Sequence, residues 1–237
     1  MDFTFGIITN SGNDDMVNLI IDSIENQNIS KYEVVIVGGE YINRKNVVHI
    51  PFDESIKPKW ITRKKNLITQ NAKYENIVYM HDYVSLCDGW YDGFLKNGDD
   101  FKVCMNKIQN QDGERYRDWV LWYRDLYDAI NDDVTRQDIN NIIHKAEFFL
   151  PYDMIHLSKY MYFSGAYWVA KKDVMLENTL NEIYCWGQGE DVEWSRRIKT
   201  KYKFSMNSDS TVKFLKYKEP VWTDCSEETI KILNKIK

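Results

Sequence analysis

Two acidic sites about a hundred residues apart carry the chemistry this chain could do. The first is Tyr79-Met80-His81-Asp82-Tyr83, which closes the apolar run Ile77-Val78-Tyr79-Met80. The second is Trp186-Gly187-Gln188-Gly189-Glu190-Asp191, which opens the pattern Val192-Glu193-Trp194-Ser195-Arg196-Arg197-Ile198. A carboxylate at a strand end can hold a metal ion or a nucleotide sugar. A carboxylate at a helix start is favoured by the helix dipole and can take a proton from a hydroxyl. Plain capping is the competing use of Glu190 and Asp191, and a strand-end turn is that of Asp82.

These residues need elements to position them. Phe3 to Thr9 reads as a strand, and the polar run Asn10 to Asp14 leads into a helix whose face is Met16, Val17, Ile20, Ile21 and Ile24. Glu33 to Val37 is a continuous apolar run ending at Gly38-Gly39, as in a strand buried on both faces of a parallel sheet. Val47 to Ile50, stopped by Pro51, predicts a third strand; a helix follows from about Trp60 to Ala72; Ile77 to Met80 and Phe101 to Met105 predict the fourth and fifth strands. Alternating strands and helices imply an α/β sheet with right-handed crossovers, mostly parallel and flanked by helices. Ligands bind such sheets at the carboxyl ends of the strands, where Asn10, Gly38, Gly39 and Asp82 all fall.

Beyond about Gln109 the chain is charged and aromatic. Helical islands are predicted at Trp119 to Ile130 and Gln137 to Ile143, a strand at Ser164 to Ala170, and helices at Asp173 to Ile183 and from Glu190 to Ile198. The 237 residues suit one domain, with a nucleotide-binding half over about 1–108 and an acceptor-binding half over about 109–237.

Composition narrows the classes. The net charge of −5 argues against a general nucleic-acid binder but leaves room for a local basic pocket. Cys87, Cys104, Cys185 and Cys225 form no zinc-like spacing, so they read as reduced thiols in a cytosol-like compartment. No window has the length of a membrane span and no basic leader opens the chain, so a soluble, cytoplasmic, unprocessed protein is expected.

At these residues the sequence resembles family 2-like glycosyltransferases of the GT-A fold. Phe5-Gly6-Ile7-Ile8-Thr9-Asn10 is similar to that family's opening strand, and Ser23-Ile24-Glu25-Asn26-Gln27 to its "S-x-x-x-Q" helix end. Trp60-Ile61-Thr62-Arg63-Lys64-Lys65-Asn66 resembles the basic "R-N" helix before the aspartate motif, and His81-Asp82-Tyr83 stands where the family carries D-x-D. Gly165-Ala166-Tyr167-Trp168-Val169 resembles the strand lining the acceptor side, and Trp186 to Asp191 the "W-G-x-E-D" segment of inverting members. The resemblance spans roughly residues 3–200.

It implies a transferase moving a sugar from a nucleotide-sugar donor, UDP-linked by resemblance, to a hydroxyl on a glycan, lipid-linked sugar or protein, with inversion. Asp191 would be the general base and Glu190 an acceptor ligand, with Trp186 and Trp168 as acceptor platforms. Thr9, Asn10, Gly39, Glu40, Arg63, Lys64 and Asp82 would bind the donor. Mn²⁺ or Mg²⁺ is the implied cofactor, with Asp82 and His81 as ligands. The sequence departs from the pattern here, because only one carboxylate remains of D-x-D and no histidine follows Asp191. His81 has two further readings, a donor to the diphosphate or a satisfied polar group. Tyr162, Tyr167, Trp194 and His156 are further candidates for the acceptor cleft.

Three other functions compete. An inactive nucleotide or sugar binding module of the same fold would bind the donor without hydrolysing it. A sugar nucleotidyltransferase would need basic residues in the loop after the first strand, which Asn10 to Asp14 lacks. A glycosidase could use two carboxylates but leaves the nucleotide-site pattern unexplained.

Overall fold

A computed structural model of the chain describes residues 1–122, 137, 147–219, 227, 231 and 234. Its framework is a sheet of eight strands: β1 (Phe3–Ile8), β2 (Tyr32–Val37), β3 (Val47–Ile50), β4 (Asn76–His81), β5 (Val84–Leu86), β6 (Val103–Gln109), β10 (Tyr167–Lys171) and β11 (Phe204–Phe214), in the order β3-β2-β1-β4-β10-β6-β11-β5. A smaller sheet holds β7 (Val120–Trp122), β8 (Glu147–Phe149) and β9 (Met161–Tyr162).

The first four strands in that order are parallel. All six residues of β1 and of β4 are buried, which is why their sequences show little polar alternation. The helices α1 (Asp14–Glu25) and α2 (Ile61–Asn71) lie in the connections that lead back to the sheet. At Gly6 of β1 there is no room for a side chain, because a Cβ there would run into Ile68 of α2. That close approach sets α2, with its three basic residues, against the strand ends.

β10 then enters antiparallel between β4 and β6. Tyr167 pairs with Met80, so the start of β10 lies beside the end of β4. The loop Ser164–Ala166 thereby reaches His81 from the second half of the chain, where the His81 amide donates to the Ala166 carbonyl at 3.0 Å. One hydrophobic core runs through both halves. Tyr79, Trp168 and Trp194 form an aromatic pile within it, at centroid distances of 4.7 and 5.7 Å.

The remaining helices are α3 (Trp90–Asn97), α4 (Lys172–Glu177) and α5 (Glu190–Ile198). Some expectations need correction. Residues 120–122 are extended and Trp119 is a bend, none of them helical, with β7 pairing β8 and β9; the rest of the predicted island to Ile130, and most of that at 137–143, lie outside the described residues. The helix predicted to Ile183 ends at Glu177, where the Asn178 side chain donates back to the Val174 carbonyl at 2.9 Å. The strand predicted at 101–105 runs from Val103 to Gln109. Neither β5 nor β11 was predicted; β11 pairs in parallel with β6, with a register shift between Asn207 and Thr211.

Gly6→Ala should lower stability by about 1–3 kcal/mol through overpacking. Urea unfolding checks this: the midpoint falls while its slope stays constant. In an Ile68→Ala background Gly6→Ala should cost less than in the wild type, since the two positions share one contact.

Candidate functional site

Asp82 follows β4 at its carboxyl end. Its Oδ2 accepts hydrogen bonds from Thr9 Oγ1 at 2.9 Å and Asn13 Nδ2 at 2.8 Å. The carboxylate thus pins the loop after β1. Lys64 pins it from the other side: buried, it donates through Nζ to the Thr9 carbonyl at 2.6 Å and to Asn10 Oδ1 at 2.7 Å, and it pairs with Glu54. Gly38 and Gly39 back the same loop at φ +86° and +69°. A Cβ on Gly38 would lie 2.9 Å from Lys64 Nζ, and one on Gly39 would lie 2.7 Å from Thr9 Cγ2. The glycines therefore admit this chain's own loop.

Thr9, Asn10, Lys64, His81 and Asp82 line a cavity of about 270 Å³, together with Lys59, Tyr83, Trp186, Lys216 and Lys218. Gly39 does not line it, nor does Glu40, whose side chain is exposed. Arg63 turns away to Glu182, at 3.1 Å, because successive helical residues are rotated by about 100° and Glu182 waits on that face. Of the three consecutive basic residues, Lys64 and Lys65 point inward and Arg63, expected at the donor, does not.

A second cavity, of about 390 Å³, adjoins the first and shares His81, Tyr83, Trp186 and Lys218 with it. Its carboxylates are Glu190 and Asp191 at the start of α5. Asp191 Oδ2 accepts from the Gly165 amide at 2.8 Å and Oδ1 from the Val192 amide at 2.9 Å. Glu190 is only 6% exposed, and burial raises its carboxyl above the ordinary value. Lys65 opposes that rise and Asp191 adds to it.

Lys65 reads in the sequence only as one member of a basic cluster with Arg63 and Lys64; in the structure it reaches Gly165 in the wall of this second cavity. It is 1% exposed, its Nζ donates to the Gly165 carbonyl at 2.7 Å, and it lies 4.5 Å from the centre of the Trp168 ring. Burial lowers its ammonium to about 8, against the pull of Glu190 and Asp191. His81 closes the wall between the cavities. Burial, then the charges of Lys65, Lys218 and Lys216, push it well below its usual value, so the ring is neutral. Its buried Nε2 has no hydrogen-bond partner among the described residues.

Trp186 is 50% exposed at the seam of both cavities, with Lys59 Nζ 5.1 Å from its ring centre. Trp168 is not a platform: it is 1% exposed and stacked between Tyr79 and Trp194 in the core. Tyr162, Tyr167 and Trp194 are likewise buried, and exposed His156 lines neither cavity. Lys216 and Lys218 carried a readable signal. They continue the period-two face of Phe214, a cavity-lining residue at the end of β11.

One oxygen of Asp82 is already engaged by two donors, and among the described residues lining the cavity His81 is the other His, Cys, Asp or Glu. No group of three His, Cys, Asp or Glu side chains suited to a metal occurs among the described residues. Lysine ammonium groups share the cavity. A divalent cation beside a diphosphate takes one or two carboxylates plus phosphate oxygens, and here one Asp82 oxygen is already engaged while ammonium groups compete for those phosphates. These residues do not fit the Mn²⁺ or Mg²⁺ that the resemblance implies.

No protein-family model matches the sequence, and no curated protein matches it. Solved structures do. GalNAc-T7 crystallised with UDP, GalNAc and Mn²⁺ is similar with a TM-score of 0.63 and 13% identity, over 99% of this chain and 48% of that one. TarS of S. aureus is similar with a TM-score of 0.55 and 12% identity, over 100% and 39%. Its 1–349 fragment with UDP-GlcNAc gives 0.56 and 11%, over 93% and 60%. The chain therefore spans less than two thirds of each of these structures. At such identities the likeness defines the fold: this chain has the mixed α/β, GT-A-like fold of glycosyltransferases. Among the described residues no helix is long and apolar enough to cross a membrane.

The buried lysine gives a pH test. Between about 8 and its usual 10.5 the unfolded chain keeps the Lys65 proton while the native chain sheds it. Stability contributed by this residue therefore rises with pH across that window, by up to ~1.4 kcal/mol per unit. Urea unfolding of the wild type and Lys65→Met should show their difference moving in favour of the wild type from pH 8 to 10.5. A pH-independent difference would contradict the assignment.

Proposed function

We propose that this chain is a nucleotide-sugar-dependent glycosyltransferase that moves a sugar from a UDP-linked donor to an acceptor hydroxyl with inversion. What supports this reading is the pair of adjoining cavities, one around Thr9, Asn10 and Asp82 and the other around Glu190 and Asp191, on a GT-A-like fold. Structures of that fold have been solved with UDP and with UDP-GlcNAc.

In this reading residues 1–108 hold the donor and residues from 109 onward hold the acceptor, which is a glycan, a lipid-linked sugar or a protein. Asp82 accepts a donor hydroxyl through its second oxygen, while Thr9 and Asn10 shape the nucleoside end. Gly39 and Glu40 act from behind the loop. Trp186 stacks on a sugar ring at the seam. Glu190 binds an acceptor hydroxyl.

Asp191 is the base. The acceptor oxygen attacks the anomeric carbon from the face opposite the diphosphate, and its proton passes to Asp191 as the new C–O bond forms. The bond from the anomeric carbon to the diphosphate oxygen breaks, and the nucleoside diphosphate leaves with that electron pair. Two backbone amides hold the Asp191 carboxylate in one orientation, which leaves little reorganisation at the moment of transfer.

Release of UDP from UDP-GlcNAc and UDP-GalNAc, with and without simple sugar acceptors, is the direct assay. Asp191→Asn should lower turnover by about 10²–10⁴-fold, the usual loss on removing a general base. UDP affinity measured calorimetrically should stay within about twofold, whereas Asp82→Ala should lose that binding by tenfold or more. UDP binding with no turnover of any donor would make the chain a binding module. Equal turnover in wild type and Asp191→Asn would remove Asp191 from the chemistry.

A further inference from the structure

The first cavity holds more positive charge than its own carboxylates offset. Four lysines line it, Lys59, Lys64, Lys216 and Lys218, against one aspartate, Asp82. Lys64 is accounted for by Glu54 and the loop after β1. The other three make no ion pair among the described residues; instead, each has its ammonium over an aromatic ring. Lys216 Nζ and Lys218 Nζ lie 4.4 and 4.3 Å from the centre of the Tyr83 ring, and Lys59 Nζ lies over Trp186. Two ammonium groups on one half-enclosed ring repel each other. Burial and Lys216 both lower the Lys218 ammonium below its ordinary value, with Asp82 opposing.

The arrangement is held in place. The Leu215 amide donates to the Tyr83 carbonyl at 2.8 Å. The Lys218 amide donates to Asn110 Oδ1 at 3.0 Å, and the Lys218 carbonyl accepts from Asn110 Nδ2 at 2.7 Å. The backbone on either side of Lys216 and at Lys218 is thus fixed before any ligand arrives. Three ammonium groups against one carboxylate leave a surplus that suits the diphosphate of a nucleotide sugar, which carries about one negative charge per phosphate. An anion there would relieve the repulsion rather than add to it.

We propose that Lys216 and Lys218, aided by Lys59, bind the donor diphosphate and stabilise the departing nucleoside diphosphate in place of a divalent cation. This rests on the donor-site reading given above for the same cavity. The three lysines then do by hydrogen bonding and charge what the incomplete carboxylate set cannot do through a metal.

Calorimetric titration with inorganic pyrophosphate, UDP and GDP, each in EDTA and in Mn²⁺, tests the proposal. The proteins are wild type, Lys216→Gln/Lys218→Gln and the charge-preserving Lys216→Arg/Lys218→Arg. Wild type should bind pyrophosphate and UDP in EDTA, and Mn²⁺ should change affinity less than about threefold. The Gln pair should weaken both ligands at least tenfold, about 1.4 kcal/mol, and the Arg pair should recover most of that. An unchanged thermal midpoint in the Gln pair ties the loss to the cavity; a collapsed midpoint passes the decision to Lys59→Gln, which should still lose about threefold. UDP binding that needs Mn²⁺ and ignores the Gln pair would overturn the lysine proposal and leave the transferase reading standing. Lysine-dependent pyrophosphate binding with no binding of UDP or GDP would keep the anion site and remove the nucleotide reading. No binding of any probe would overturn both.

Discussion

Gly165 is the joint on which the site depends. Its amide donates to Asp191, its carbonyl accepts from Lys65, and the next carbonyl accepts from the His81 amide. One turn before β10 thus ties together the helix carrying the inward lysines, the end of the strand leading to Asp82, and the helix carrying Glu190 and Asp191. Glycine leaves room for the tie. A Cβ there would lie 3.0 Å from Glu190 Oε1 and 3.1 Å from Asp191 Oδ2, so the carboxylates would have to give way slightly. Gly165 is not among the glycines with positive φ, so what it offers is space rather than an unusual turn.

From this joint the charge of the site divides in two. Toward α5, buried Glu190 and half-buried Asp191 face one buried lysine: burial raises Glu190 against the pull of Lys65, and lowers Lys65 against the pull of the carboxylates. That side is close to internally balanced, which suits a group that must be able to accept a proton. Toward β1, the lysines outnumber the single carboxylate, which suits a group that must receive an anion. Neutral His81 stands between the two sides. An imidazolium there would add to a cluster that is already cationic, and burial would penalise it further, so a neutral ring is the form both neighbours tolerate.

The parallel half of the fold was legible because its signals are local. Phe3 to Ile8, Glu33 to Val37 and Ile77 to Met80 are apolar runs closed by polar or glycine residues, and α1 between the first two shows one apolar face. β11 was not, because Phe204 to Phe214 contains Asn207, Ser208, Asp209 and Ser210, which read as a loop. In the structure Asn207 donates to Ser210 Oγ at 2.9 Å and Ser210 donates to the Trp90 carbonyl at 2.7 Å, so buried polar atoms have partners that only the tertiary fold supplies. The same limit applies at the site. Asp82, Glu190 and Asp191 could be picked out because each stands in a readable motif at the end of an element placed by periodicity. Which of Arg63, Lys64 and Lys65 turned inward depended on Glu182, Glu54 and Gly165, which only the fold brings to the helix. Trp168 and Trp186 are the same residue type on the same side of the chain, and only burial tells the core ring from the exposed one.

Asp82 shows how one residue can keep its place in a pattern while its work changes. Three neighbours define it: Thr9 and Asn13 donate to one oxygen, and Lys218 feels its charge. The engaged oxygen fixes the loop after β1, and that loop, with Lys64 and the two glycines behind it, forms one wall of the first cavity. A carboxylate used in this way holds the protein's own side chains, and its free charge faces Lys218. The single carboxylate of His81-Asp82-Tyr83 and the lysines after β11 together set the charge of the first cavity. The Tyr83 ring joins them, with Lys216 Nζ 4.4 Å and Lys218 Nζ 4.3 Å from its centre.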